Sequence, residues 1–291
     1  MSLTALAPAK VNLFLHVGPT GSDGYHSLAS WMVFADVGDT VSVGASEELA
    51  FEIGGPYADG VPANADNLVL RARDAVIQAA GKDAELPPFR LLLTKALPIA
   101  SGIGGGSSDA AATLRLLGEV FKVPITPLMA LSLGSDVPAC LRAAPLIAEG
   151  RGEVLNPAPA MPTLDAVLVN PGVPSPTGAV YDAFDRSGVA GAADCPDLPP
   201  VIGSAEEVAA LLTVCRNDLE APAVALQPLI GEVLTMLREE PETLFARMSG
   251  SGATCFALCA GAMESESLAE RIKLMRPDWW VRACRLGGPW E

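Results

Sequence analysis

Residues 97–109 read Leu97-Pro98-Ile99-Ala100-Ser101-Gly102-Ile103-Gly104-Gly105-Gly106-Ser107-Ser108-Asp109. The apolar run from Phe89 to Thr94 precedes this stretch and predicts a strand, and the Ala- and Leu-rich segment after it predicts a helix. The glycines and serines therefore gather at a helix N-terminus, where backbone N–H groups lack partners and the helix dipole is positive. Such a loop suits an anion, because glycines let the backbone approach it closely.

We interpret residues 98–108 as a phosphate-binding loop in which Ser107 and Ser108 add hydroxyl donors. No lysine follows the glycines as a P-loop requires, and Ser107 stands where a dinucleotide fingerprint starting at Gly102 needs glycine. The loop is therefore of a third kind. The alternative is a flexible Gly/Ser linker, although linkers are rarely held between a strand and a helix.

The composition limits the class of protein. A chain of 291 residues forms one large or two medium domains. Its net charge of −15 argues against nucleic acid or an anionic membrane as a partner, and makes any phosphate site depend on local donors such as the loop amides, Lys10 and Lys95. The chain has neither an apolar run of membrane-spanning length nor an N-terminal signal pattern, so we expect a soluble cytoplasmic protein.

The cysteines and histidines do not indicate a metal site. Six cysteines are spread along the chain without a Cys-x-x-Cys pair, and there are two histidines. This spacing argues against zinc and favours buried, reduced thiols.

Residues 10–17 alternate as a strand does. One face would carry Val11, Leu13, Leu15 and Val17, and the other Lys10, Asn12, Phe14 and His16. Lys10 and Asn12 could point into a cleft together, but the alternation alone favours an exposed edge strand. The loop that follows presents Tyr25 and His26 side by side, which suits stacking on a planar base or ordinary packing.

Asp136 lies in the sequence Gly134-Ser135-Asp136-Val137-Pro138. Because Pro138 disfavours helical geometry at Val137, we expect an extended or turn backbone after Asp136, a stiff corner that could aim the carboxylate. A helix N-cap or a turn aspartate is the alternative.

Local signals place the remaining elements. Helices are predicted from Asp66 or Asn67 to Gly81, and from Thr126-Pro127 to Gly134. In the second half we predict strands at 164–170, 244–248, 254–259 and 279–285, a capping box at Ser204 to Glu207, and helices that include 264–275. This order resembles a ferredoxin-like β-α-β-β-α-β unit. The Pro- and Gly-rich stretch 149–161 predicts a boundary between domains 1–155 and 156–291.

The loop pattern Pro-x-x-x-Gly-x-Gly-Gly-x-Ser-Ser-x-Ala, starting at Pro98, resembles the phosphate loop of the GHMP kinases. The resemblance implies an α+β, two-domain fold with an N-terminal ribosomal-S5-like domain and a C-terminal ferredoxin-like domain. It also implies ATP and Mg²⁺ as cofactors. The ATP-binding residues it implies are Pro98, Ile99, Ala100, Ser101, Gly102, Ile103, Gly104, Gly105, Gly106, Ser107 and Ser108.

Three further stretches resemble the GHMP branch whose acceptor is a cytidine diphosphate derivative of methylerythritol. They are Ala-Lys-Val-Asn-Leu-Phe-Leu at 9–15, Asp-Gly-Tyr-His-Ser-Leu at 23–28 and Gly-Ser-Asp-Val-Pro at 134–138. The resemblance implies that Lys10 and Asn12 lie at the reacting hydroxyl and that Tyr25 and His26 lie against the cytidine end. It makes Asp136 the catalytic base. Met32 stands where this branch commonly has an aromatic ring.

Motifs of the second half agree. Pro174-Ser175-Pro176-Thr177-Gly178-x-x-Tyr181 resembles the turn whose Thr177 and Tyr181 face the cytidine. The run 216–220 resembles a helix start that supports the active site. Met248 to Thr254 resembles the third glycine motif of the superfamily, although Gly250 and Gly252 alone would be read as hairpin residues.

The resemblance therefore implies transfer of the γ-phosphoryl group of ATP to the 2-hydroxyl of 4-diphosphocytidyl-2-C-methyl-D-erythritol. Lys10 and Asp136 would be catalytic, and Asn12, Tyr25, His26, Thr177 and Tyr181 would bind the substrate. Ser108 is a candidate Mg²⁺ ligand. Another GHMP small-molecule kinase and a non-catalytic nucleotide sensor are the alternatives. We expect small-molecule partners, no nucleic acid or membrane, and a monomer or homodimer.

Overall fold

The computed structural model describes residues 2–22, 24–81, 86–189 and 191–290. Within these residues the strands are β1 (Ser2–Thr20), β2 (His26–Ala45), β3 (Ala50–Gly54), β4 (Phe89–Thr94), β5 (Leu146–Gly150), β6 (Val154–Pro157), β7 (Leu164–Asn170), β8 (Thr243–Met248), β9 (Cys255–Cys259) and β10 (Trp280–Gly287). The helices are α1 (Leu68–Ala80), α2 (Gly105–Phe121), α3 (Pro127–Leu133), α4 (Val137–Arg142), α5 (Thr177–Arg186), α6 (Ala205–Leu212), α7 (Glu220–Leu226), α8 (Pro228–Glu239) and α9 (Ala262–Met275).

The long strand β2 organises the sheet. On one edge it pairs antiparallel with β1 along most of its length. On the other edge it pairs in turn with β5 at Leu28 to Met32, with β10 at Phe34 and Ala35, and with β4 at Thr40 to Ala45. The resulting strand order is β3-β4-β2-β10-β7-β9-β8, so both halves of the chain contribute to one sheet.

The second half confirms the predicted ferredoxin-like unit. Its strands lie in the order β10-β7-β9-β8, with helices between β7 and β8 and between β9 and β10. This is the strand order of a β-α-β-β-α-β unit with extra helices inserted after the first strand. The predicted domain division after residue 155 falls inside β6 and stays a prediction.

Helix α2 follows the phosphate loop and anchors it to the core. Its residues Ala110, Leu114 and Leu117 are fully buried in a cluster that also holds apolar residues of α1, β2 and β4. Asn67 caps α1 by accepting a hydrogen bond from the backbone N–H of Val69 at 2.9 Å, and Gly81 ends that helix with a φ of 91°. The capping signals thus identified both ends of α1.

The predicted alternation of β1 is wrong at Phe14. A bulge between Asn12 and Phe14 turns Phe14 into the core that Leu13 also enters, and both side chains are fully buried. The exposed edge strand that alternation favoured is wrong as well, because Lys10 is only 6% exposed. The backbone N–H of Lys10 donates to the carbonyl of Ile103 at 2.9 Å, so the phosphate loop covers this side of the strand.

Two other expectations need correction. Val137 is the first residue of α4, not part of an extended corner, because Pro138 occupies the first turn, where its missing N–H removes no helix bond. Cys195 is exposed, whereas the other five cysteines are buried and all six described thiols are free. Among the described residues, no helix has the length and apolar character needed to cross a membrane.

We expect Leu114→Ala to lower the free energy of unfolding by about 2–5 kcal/mol, because it leaves a cavity under the phosphate loop. Leu274→Ala is the matched control: Leu274 is 85% exposed on α9, and its loss should change stability by less than about 0.5 kcal/mol. Urea denaturation of both variants measures the difference. An equal loss of free energy of unfolding in Leu114→Ala and Leu274→Ala would contradict the assignment of Leu114 to the core.

Candidate active site

The phosphate loop connects β4 to α2. Gly104 is the N-cap of α2 with a φ of 67°, so Gly105, Gly106, Ser107 and Ser108 form the first helical turn. The amides of Gly104 to Ser107 have no partners farther back in the helix, and glycine leaves the loop sterically open. The loop therefore has the geometry of an anion site.

Residues 249–254 connect β8 to β9, and we name them the glycine turn. This turn forms hydrogen bonds with the phosphate loop. The backbone N–H of Thr254 donates to the carbonyl of Ser101 at 3.0 Å, and the Ser249 hydroxyl donates to the carbonyl of Gly102 at 3.2 Å. Gly102 has a φ of 74°, and a Cβ there would lie 2.5 Å from the carbonyl oxygen of Ser249. Only glycine fits this contact between the two halves.

A buried ion triad lies beneath the loop. Lys95 forms ion pairs with Asp39 and with Asp109, the latter at 2.7 Å. The second oxygen of Asp39 accepts the backbone N–H groups of Ala96 at 2.6 Å and Leu97 at 2.8 Å. Burial, with the charge of Asp39, raises the pKa of Asp109 to about 7 against the opposing effect of Lys95. Among the described residues Asp109 Oδ1 has no hydrogen-bond partner.

Ser108 does not offer the donors that we expected. Its hydroxyl is fully buried and donates to the carbonyl of Pro8 at 2.6 Å, and its backbone N–H donates to Gly104 at 2.9 Å. Both donors are occupied within the protein, so Ser108 has no free donor for a phosphate, and its role as a Mg²⁺ ligand stays a prediction. The Ser101 hydroxyl is also occupied, since it donates to the carbonyl oxygen of Pro98 at 2.6 Å.

Lys10 and Asp136, which lie 126 residues apart, form an ion pair of 2.8 Å between Nζ and Oδ2. The stem of Lys10 runs along Gly104, where a Cβ would come within 3.3 Å of it. Asp136 is the N-cap residue of α4, but its side chain makes no capping bond. The Asp136 side chain remains 34% exposed, which leaves it accessible beside the phosphate loop.

A cavity of about 640 Å³ opens on this ion pair. It brings together the predicted catalytic and substrate-binding residues, which are Lys10, Asn12, Tyr25, His26, Asp136, Thr177 and Tyr181. Met32, Arg151 and the loop residues Ala100, Ser101, Gly102 and Gly104 also line it. We name it the acceptor cavity.

Polar groups of the acceptor cavity are held in defined positions. His26 Nδ1 lies 2.8 Å from the carbonyl oxygen of Gly18, and its ring packs 5.1 Å from the ring of Tyr181. Burial and the negative charge of Asp136 raise the pKa of Tyr181 to about 12, which keeps its hydroxyl protonated. Asn12 donates to the Ser30 hydroxyl at 2.7 Å, while its Oδ1 has no partner among the described residues.

A second, smaller cavity of about 210 Å³ lies on the other side of the loop. Its lining includes Asn67 and Leu68 at the start of α1, Pro98 and Ile99 of the loop, and Lys95 and Asp109 of the triad. Ala100 lines both cavities. The phosphate loop therefore separates two cavities, and we name this one the donor cavity.

Sequence reasoning missed Arg151. This residue lies between Gly150 and Gly152 at the tip of the β5–β6 hairpin, and its guanidinium lies 4.9 Å from the ring centre of Tyr25. The glycines and prolines of residues 149–161 predict a domain boundary and give no signal for a functional side chain. In the structure the positive φ angles of Gly150 and Gly152 build a tight hairpin that carries Arg151 into the acceptor cavity.

We expect Gly102→Ala to lower the free energy of unfolding by more than about 2 kcal/mol, because alanine is strained at this φ and its Cβ meets backbone atoms. Gly106→Ala is the control, since a Cβ there would find Leu68 at an ordinary 3.8 Å. Chemical denaturation compares the two. A stable Gly102→Ala variant would show that the contact with the glycine turn is loose.

The raised pKa of Asp109 predicts a pH dependence. The folded protein keeps this proton at pH values where the unfolded chain, with a carboxyl pKa near 3.8, has lost it. This residue therefore makes the free energy of unfolding fall as the pH rises from about 4 to about 7. The stability of the wild type minus that of Asp109→Asn should fall by up to about 1.4 kcal/mol per pH unit in this window. If the free energies of unfolding of the wild type and of Asp109→Asn changed in parallel with pH, the raised pKa of Asp109 would be contradicted.

Two family profiles match the chain. The profile described as GHMP kinases N terminal domain matches residues 67–143, and the profile described as GHMP kinases C terminal matches residues 200–280. A curated protein of Caulobacter vibrioides, named 4-diphosphocytidyl-2-C-methyl-D-erythritol kinase, is 58% identical over 98% of this chain and 100% of its own length. A protein of Cereibacter sphaeroides with the same name is 47% identical over 98% of this chain and 99% of its own.

Solved structures agree. A crystal structure of 4-(cytidine 5'-diphospho)-2C-methyl-D-erythritol kinase matches with a TM-score of 0.78 and 33% identity, over 99% of this chain and 100% of that one. A homoserine kinase from Cytophaga hutchinsonii matches with a TM-score of 0.65 at 17% identity, over 99% of this chain and 96% of that one, which shows a shared fold. The chain belongs to the GHMP kinase family and, within it, to the family of the 4-diphosphocytidyl-2-C-methyl-D-erythritol kinases.

Proposed function

We propose that this chain transfers the γ-phosphoryl group of ATP to the 2-hydroxyl of 4-diphosphocytidyl-2-C-methyl-D-erythritol, giving the 2-phosphate and ADP in isoprenoid precursor synthesis. One observation carries the proposal: the Lys10–Asp136 pair lies between a helix N-terminus suited to phosphates and a cavity lined by Tyr25, His26 and Tyr181. The names of relatives up to 58% identical support it.

ATP would lie across the phosphate loop. The donor cavity suits its nucleoside, because Leu68, Pro98 and Ile99 supply apolar walls, and Asn67 supplies polar groups. The amides of Gly104 to Ser107 would hold the phosphates at the start of α2. The γ-phosphate would then come next to Lys10, whose stem runs along Gly104.

Asp136 would act as the base. Its carboxylate would accept the proton of the acceptor hydroxyl, while the ammonium group of Lys10 offsets charge on the transferred group. Phosphoryl transfer depends mainly on positioning and charge stabilisation, which the loop and this ion pair would supply.

The acceptor cavity has groups suited to a cytidine diphosphate ester. The rings of His26 and Tyr181 offer stacking surfaces, and Thr177 lies beside them with its hydroxyl 3.0 Å from that of Ser251. The unpartnered Oδ1 of Asn12 can accept a hydrogen bond from a substrate hydroxyl near Lys10. Arg151 would face the diphosphate, since guanidinium groups match phosphate oxygens.

Mg²⁺ would accompany ATP and offset charge on its phosphate oxygens. Within residues 2–22, 24–81, 86–189 and 191–290, no three His, Cys, Asp or Glu side chains cluster to hold a metal ion. Such an arrangement fits an ion held mainly by substrate phosphates and water, as Mg²⁺ often is. We also propose cytoplasmic action, which its use of ATP and its free thiols support; a monomer or homodimer remains a prediction.

ADP release from Mg·ATP tests the activity directly. The purified protein would be offered the cytidine diphosphate substrate, homoserine, galactose and mevalonate in parallel. We expect turnover with the cytidine compound alone. Turnover of another acceptor would move the protein to a different GHMP kinase activity, and ATP binding without any turnover would support a sensor.

We expect Asp136→Asn to lower kcat by about 10² to 10⁴, the usual range for loss of a general base. The matched control is Asp74→Asn, which makes the same change at an exposed carboxylate on α1 that lines neither the acceptor nor the donor cavity. Its kcat should stay within about threefold of the wild type, because no proton transfer depends on it. Unchanged turnover in Asp136→Asn would remove this residue from the base role.

We expect Arg151→Gln to raise the KM of the cytidine substrate by about tenfold or more, with a smaller effect on kcat, because a charge-assisted contact to the diphosphate is lost. The control is Arg142→Gln on α4, whose guanidinium donates to the carbonyl of Leu155 at 3.0 Å. Steady-state kinetics separate the two constants. An equal KM in both variants would contradict the contact.

A further inference from the structure

The C-terminal half has a groove that shares no residue with the acceptor or donor cavity. Its volume is about 470 Å³, and it lies between α7, the end of α8 and β8. The polar and charged residues that line it are Arg216, Asn217, Glu220, Arg238, Thr243 and Arg247, and we name it the arginine groove.

The arginine groove is rich in arginine in a strongly acidic chain. Three arginines and one glutamate line it, whereas the whole chain has a net charge of −15. Two of the arginines have carboxylate partners: Arg216 pairs with Asp194 and Asp218, and Arg238 pairs with Glu220 at 2.9 Å. Arg247 is the third arginine of the groove, and it forms no ion pair among the described residues.

Arg247 is a buried cation that pairs with no carboxylate among the described residues. It is 8% exposed, and burial lowers its pKa. Its guanidinium donates to the carbonyls of Leu13 at 3.1 Å, Leu212 at 3.0 Å and Cys215 at 2.6 Å. These three bonds leave about two of the five N–H groups of an arginine for another acceptor. The nearby charge of Glu220 opposes the effect of burial on Arg247. Buried N–H groups without an acceptor are costly, and an anion would offset that cost.

A second polar group points to a ligand. Thr243 lines the groove, and its hydroxyl is buried with no hydrogen-bond partner among the residues that the structure describes. An unsatisfied buried hydroxyl costs free energy, which a bound acceptor can recover. Arg238 lies at the mouth of the groove with half of its side chain exposed, so it can turn toward a ligand without unfolding anything.

We propose that the arginine groove binds a small, multiply charged phosphate compound through Arg238, Arg247 and Thr243. Guanidinium groups bind phosphate oxygens in pairs, which suits a diphosphate or a phosphomonoester. The volume of the groove is in the range of small-molecule sites. The acidity of the whole chain excludes a nucleic acid as the occupant.

The groove lies directly behind the glycine turn of the active site. Asn217 donates to the carbonyls of Met248 and Gly250, each at 2.8 Å, and Glu220 accepts the backbone N–H of Met248 at 3.0 Å. Glu220 is also the partner of Arg238. An anion that draws Arg238 away from Glu220 therefore changes the contacts of Glu220, the residue that anchors the glycine turn.

Inorganic pyrophosphate is the probe. The full chain would be saturated with a non-hydrolysable ATP analogue and with the cytidine substrate, so that both cavities are filled, and titrated by calorimetry without metal. We expect one further site per chain, with an affinity that falls as ionic strength rises. Absence of binding to the filled complex would overturn the proposal.

Variants locate the site. Arg238→Gln should weaken pyrophosphate binding by about tenfold or more, and Thr243→Val by about two- to tenfold. Arg276→Gln is the control, because Arg276 pairs with Glu232 and stacks on Trp279 away from the groove, and its affinity should equal that of the wild type. If Arg238→Gln fails to fold, the affinity of Thr243→Val for pyrophosphate decides whether the groove is the binding site. Wild-type affinity in the variants that fold would overturn the proposal.

Discussion

The carboxylate of Asp39 is the constraint on which the active site depends. It lies in β2, in the middle of the sheet, and holds the start of the phosphate loop through the amides of Ala96 and Leu97. Through Lys95 it also reaches Asp109 in the first turns of α2. A buried set of one cation and two carboxylates is a poor source of stability, because desolvation opposes the attraction between the charges. Its effect here is geometric, since it fixes the phosphate loop relative to β2.

Lys10 extends that geometry to Asp136. Its backbone bonds to the phosphate loop, its stem runs along Gly104 and its ammonium group bonds to Asp136. The same loop is held from the opposite side by Ser249 and Thr254 of the second half. The donor and acceptor cavities therefore share the phosphate loop as a common wall. Such preorganisation favours phosphoryl transfer, which needs accurate placement more than covalent participation by the protein.

Local signals predicted much of the fold. The strand Phe89–Thr94, the caps of α1 and the strand order of the second half follow from patterns within short stretches. The misses arose where distant residues decide the outcome. Phe14 turns inward because a bulge in its pairing with β2 changes the register, and the Ser108 hydroxyl bonds to a carbonyl 100 residues earlier in the chain. Arg151 was missed because the glycines around it also fit a linker. The Lys10–Asp136 contact came from family resemblance, since no local pattern brings together residues 126 positions apart.

The strand β10 has a consequence for how the protein is made. Leu286 and Gly287 pair with Ala35 and Phe34 of β2, and the indole of Trp290 donates to the carbonyl of Phe34 at 2.7 Å. The middle of β2 thus receives this neighbour from residues about 250 positions later in the chain. Synthesis proceeds from the N-terminus at about 5–20 residues per second, so this part of β2 waits for its native neighbour while the intervening residues are produced. The sheet closes only after β10 has left the ribosome, and until then the first half exposes an open strand edge to the cell's chaperones.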